Sequence, residues 1–133
     1  MITEDYVSFE VAKLLKEKGF NEPCLAIYTI DIHDVVELHH HVFPIEPCDV
    51  IKDEGEYLAP THQMAMKWLR EVHGTFIAIN NDDLDFNWQC YDLINRDSTL
   101  DPKILSDSYA GYKTYEEAVE AALKYSLQNL TLL

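Results

Sequence analysis

The stretch APTHQMAMKWLREVHGTFIAINNDDLDFNWQCYDLI, residues 59–94, decides the fold. Thr61 has the side chain of an N-cap for a helix beginning at His62. Met64, Ala65, Trp68, Leu69 and Val72 then recur at helical spacing, with Gln63, Lys67, Arg70 and Glu71 on the other side. Gly74 supplies the residue that a helix C-terminus prefers. Thr75 to Ile79 is an apolar, β-prone run, and Phe86-Asn87-Trp88-Gln89-Cys90 alternates with period two. The polar segment Asn80 to Asp85 between them predicts a hairpin joining strands Thr75–Asn80 and Phe86–Ile94. Trp88 shares a face with Phe86 and Cys90, and Trp68 stands one turn from Met64, so both tryptophans read as core.

Towards the N-terminus, Thr3 followed by Glu4 and Asp5 resembles a helix start, and Tyr6, Val7, Val11, Leu14 and Leu15 form one apolar stripe. A helix from Glu4 to Lys18 is expected. Gly19-Phe20 is suited to a Schellman stop, with Phe20 folding back on Leu15. A short strand follows over Leu25–Ile30 and another over Val35–Phe43. In the second, Asp34, Val36, Leu38, His40 and Val42 make the more apolar set and are expected to face the core. His33, Val35, Glu37, His39 and His41 are expected to face water. The segment Pro44–Tyr57, with Pro47 and Lys52-Asp53-Glu54-Gly55-Glu56, reads as a long surface loop. Asn95 to Tyr112 also reads as loop. Thr114-Tyr115-Glu116-Glu117 is a capping box, and it opens a closing helix from Tyr115 to about Asn129.

The fold expected is α+β: one globular domain over residues 1–133, a small, mostly antiparallel sheet with three helices packed on one side. Hydrophobic residues make up 47% of the 133, enough for a packed core. The outlier is charge: 24 Asp and Glu against 10 Lys and Arg give a formal net of -14. Nine acids face one base, Lys52, between Gly19 and Met66. Such a field repels nucleic acid and anionic membranes, and it suits a basic protein partner, divalent cations or plain solubility. No apolar run approaches the ~18 residues of a membrane span. Cys24, Cys48 and Cys90 form no CxxC pair, and the N-terminus lacks signal-peptide character, so a reducing cytoplasm is the expected location.

Three candidate sites arise. His39 and His41, two apart in a strand, can place two imidazoles on one metal ion, with Glu37 on the same face and His33 or Cys48 as outside ligands. The other reading of these histidines is a solvated strand face. Asp83, Asp85 and Asn87 match the first ligands of a calcium loop, but Trp88 stands where glycine is required and Ile94 where glutamate is required. They read as turn formers. Cys48 and His62 could pair as nucleophile and base, but nothing around the cysteine supports it, and a buried or inert thiol is expected. His73, at the end of the central helix, is placed where a cation is favoured. Glycine-rich phosphate loops and a nucleophile elbow are absent, and no cofactor is implied.

The segments ITEDYVSFEVAKLLKEKGF (2–20), YLAPTHQMAMKWLREVHGTFIAI (57–79) and YKTYEEAVEAALKYSLQNL (112–130) together resemble a group of small uncharacterised proteins encoded by prophages and mobile elements of gut bacteria. The resemblance covers three helices and one strand. It implies a genetic context and no activity. The function expected is therefore a non-enzymatic accessory or interaction protein with a protein partner. One alternative is a metal-binding protein or metal-dependent enzyme using His39 and His41. The other is an acidic DNA mimic that inhibits a nucleic-acid-binding host protein.

Overall fold

Ser8, not Thr3, caps the first helix. Its hydroxyl accepts a hydrogen bond from the Val11 amide at 3.2 Å, and α1 runs Phe9–Glu17. The first turn expected over Glu4–Ser8 is extended instead. Tyr6 bridges Thr61 in antiparallel fashion, and the Val7 amide donates to the Pro60 carbonyl at 3.0 Å. Val7 is fully buried there. A distant backbone partner and a buried valine together outcompete one more turn of helix. The stop is as expected: Gly19 takes φ +87°, Phe20 donates to the Leu15 carbonyl and Gly19 to that of Lys16. That is the Schellman pair of bonds, and Leu15 and Phe20 are both buried.

The structure, a computed structural model, describes residues 2–50, 55–82, 85–93, 103–107 and 111–130. It is α+β, with small antiparallel sheets and, among the described residues, four helices. The chain divides into two compact units, Met1–Thr61 and His62–Leu133. The single sheet with three helices on one side is thus corrected to two three-stranded sheets, each with its own helices.

In the first unit, β1 (Cys24–Ile30) is central, flanked by β2 (Val36–Ile45) and β3 (Glu56–Leu58). The β1–β2 turn is built by Asp31, whose carboxylate accepts from the amides of His33 and Val35 at 2.8 and 3.0 Å. Asp34 takes the left-handed conformation, φ +61°, which Asp tolerates better than most residues. This five-residue connection pairs Ile30 with Val36, Thr29 with Glu37 and Ile27 with His39. The register then slips, so that Ala26 meets His40 but Cys24 meets Ile45. The segment expected as one long loop contains β3 and a short helix, α2 (Pro47–Val50). Both are too short to leave a periodic signature.

The second unit begins with α3 (His62–His73), ended by Gly74 at φ +65°. Ala65, Met66, Trp68 and Leu69 are buried, while Val72 is 56% exposed. The apolar stripe is therefore rotated towards Met66 relative to expectation. Strands β4 (Thr75–Asp82) and β5 (Asp85–Asp92) pair without a break from Thr75–Asp92 to Asp82–Asp85, which extends the expected hairpin. β6 (Lys103–Asp107) adds to β5 inside the segment expected as loop, with a register shift between Cys90 and Tyr91. The last helix, α4 (Tyr115–Gln128), starts as its sequence requires, with Thr114 Oγ1 accepting from the Glu117 amide at 3.1 Å. Ala118, Val119, Ala122, Leu123, Ser126 and Leu127 are its buried face. Tyr125 lies against Trp88 with ring centroids 5.1 Å apart, and Ser126 meets Cys90 at 3.3 Å. Trp88 and Cys90 are core, as the alternation of β5 predicts.

Candidate binding site around β2

β2 is the border strand of its sheet, and among the described residues it has no neighbour beyond β1. Its expected division into a core face and a water face does not hold. Every residue from Val36 to Pro44 except Leu38 is exposed, and Leu38 is half-buried. Val42 and Phe43 are 88% and 80% exposed. The physical reason lies in the two faces of this sheet. On one, Phe9 packs edge-on against Tyr28 and Tyr57, and Lys16 sits over Tyr57 while its ammonium donates to the Glu56 carbonyl at 2.9 Å. These contacts cover β1 and β3. On β2 they are joined by Tyr6 against His40, with ring centroids 5.1 Å apart.

The opposite face is an open concavity of about 460 Å³. Ile27, Ile45 and Val50 supply its apolar surface, and Thr29, His39, His41, Asp49 and Glu56 supply polar groups. His39 is held from two sides: its Nε2 is 3.0 Å from Thr29 Oγ1 and 3.5 Å from a Glu37 carboxylate oxygen. A hydroxyl, an imidazole and a carboxylate invite comparison with a hydrolytic triad, but the wiring is wrong. In a triad the carboxylate grips the second ring nitrogen, leaving the first to take the hydroxyl proton. Here hydroxyl and carboxylate approach the same nitrogen, Nε2, so no carboxylate grips the second ring nitrogen as a triad requires. The contact with Thr29 orients the His39 ring.

His39, His41 and Glu37 are thus brought to one strand edge, but among the described residues no group of three or more His, Cys, Asp or Glu converges as metal ligands. His33 lies in the turn, bonded through its amide to Asp31. Cys48 is exposed, not buried, with Sγ 3.9 Å from a carboxylate oxygen of its neighbour Asp49. Cys48 and His62, the candidate nucleophile and base, belong to different compact units. His62 is buried and bonded to Glu120 at 2.7 Å. Asp85 and Asn87 lie in the paired strand β5, and Asp83 lies outside the described residues. No described helix is long and apolar enough to cross a membrane. Sequence reasoning missed Thr29, Asp49 and Glu56. Thr29 was within reach, because counting back from a five-residue turn anchored by Asp31 sets it opposite Glu37.

Compared with protein-family models, with curated proteins and with solved structures, the chain matches none.

Proposed function

We propose that the chain is a non-enzymatic interaction protein that offers the outer edge of β2 to a protein partner. The observation that carries this reading is a ten-residue border strand exposed on both faces, with Val42 and Phe43 almost wholly in water. Exposed edges template further strands, and proteins ordinarily blunt them with lysine, proline or a covering element. β2 holds no lysine, and its one proline, Pro44, is next to its end. Addition of a strand from a partner would complete the backbone hydrogen bonding and cover Val42 and Phe43. The wiring of Thr29, His39 and Glu37 supports a role without catalysis. A setting in a prophage or mobile element is part of the proposal and rests on the three resembling segments alone.

The test is a binding comparison between the wild type and the Val42→Lys/Phe43→Lys variant, which places two cations on the edge and leaves the buried residues untouched. Their circular dichroism and melting temperature should coincide. A bound protein released by the variant is the expected result. Equal retention by both would remove β2 from the interaction.

A further inference from the structure

We propose that the partner of β2 is a second copy of this chain, joined to the first by a zinc ion held between the His39 and His41 pairs of the two copies. The inference rests on the reading of β2 as a docking edge and supplies its occupant. The histidine run is self-complementary. Antiparallel pairing of two β2 strands about a two-fold axis at His40 sets His39 of each copy opposite the other's His41. An interface between identical copies requires this kind of self-matching.

Residues two apart on a strand share a face and stand ~6.8 Å apart, and directly opposed residues of two strands stand ~4.5–5.5 Å apart. Four imidazoles at the corners of such a rectangle can converge on one tetrahedral zinc, each nitrogen ~2.0–2.1 Å from the metal. Within one copy the set is incomplete, since among the described residues no third ligand converges on His39. The second copy supplies what is missing.

Two further observations fit. Thr29 Oγ1 and the Glu37 carboxylate both engage Nε2 of His39. That leaves Nδ1 for a metal, and the contact with Thr29 provides an outer hydrogen bond that fixes the ligand's orientation. The same register sets Val42 opposite the other copy's Leu38, giving the exposed valine an apolar neighbour on the face opposite the metal. Charge then makes the pairing conditional. Two copies of net charge -14 repel each other, so the metal-free edges stay apart and a divalent cation tips the balance.

The experiment uses the untagged full chain, with the mass measured by sedimentation in EDTA and in micromolar zinc. The mass should rise from about 15 kDa to twice that value with zinc, at one zinc per two chains by elemental analysis. His39→Ala/His41→Ala should abolish the rise while keeping the wild-type melting temperature in EDTA. One zinc per single chain with no change in mass would overturn the proposal, as would absence of zinc binding. A dimer that persists in EDTA and in the double variant would overturn the metal bridge and leave the edge reading intact.

Discussion

His62 Nε2 lies 2.7 Å from Glu120 Oε1, so the first residue of α3 is tied to the second turn of α4. The His62 side chain is only 7% exposed and that of Glu120 28%. A buried imidazole needs a partner, and leaving one unsatisfied costs about 1–3 kcal/mol. Glu120→Ala should therefore destabilise the protein by that amount. In a double-mutant cycle with His62→Ala, the coupling should exceed about 0.5 kcal/mol, the level expected of residues in direct contact. Strict additivity in urea denaturation would show that the pair is incidental to stability. It would also reopen the question of why a histidine is buried there.

Trp68 is 7% exposed and meets the His73 ring edge-on at a centroid distance of 4.6 Å. Trp68→Ala removes a large buried side chain that its neighbours cannot refill, at a cost of about 3–5 kcal/mol. The second unit should lose its cooperative melt near the wild-type temperature. A melting temperature unchanged within a degree or two would contradict the orientation of α3.

Elements whose signals are local were legible. Gly19-Phe20 and Thr114 to Glu117 hold their own stop and start bonds, and β5 displays its inner face through half-buried Phe86 and buried Trp88 and Cys90 in alternation. Elements that depend on a distant partner were not. Thr3-Glu4-Asp5 resembles a helix start as closely as Ser8 does, and the choice is made by Pro60 and Thr61, more than fifty residues away. β3 and β6 span three and five residues, shorter than a pattern can show, and they exist because β1 and β5 offer them a ladder. β2 misled for a different reason: its alternation is real, but nothing in the sequence says that neither face will be covered. The histidines at its centre could be named from the sequence. The bond from His39 to Thr29 could not, because it needs the hairpin register first.

The three cysteines should separate by reactivity. Burial, with Glu22 adding to it, pushes the Cys24 thiol up to about 12. Burial also raises that of Cys90, with Asp92 adding and the hydrogen bond to Ser126 opposing. Cys48 is exposed. A thiol reagent at neutral pH should label one cysteine quickly and the other two only as the protein unfolds. The sign of the pH effect follows. A thiol whose folded pKa is raised keeps its full stability contribution below the unfolded value near 9, and loses it as pH climbs towards the folded value. Stability should therefore decline between about pH 9 and pH 12, and Cys24→Ala should flatten part of that decline. Rapid labelling of all three thiols in the native state would contradict the burial of Cys24 and Cys90.

Acidity and the β2 edge make opposite demands on a partner, and competition by DNA separates them. A mimic of the phosphate backbone would present its carboxylates to a basic groove. Its binding would then weaken steeply with salt, because exposed charges are screened over ~8–10 Å at physiological ionic strength. β2 is a poor mimic: of the chain's 24 acids it carries one, Glu37, and Glu37 is turned to His39. Association through β2 should therefore be indifferent to duplex DNA. It should also strengthen slightly from low to physiological salt, as screening relieves repulsion between acidic copies. Sedimentation in zinc at 20 and 150 mM salt, with and without a short duplex, reads both effects. Dissociation by the duplex, or a steep loss of association with salt, would contradict association through the β2 edge.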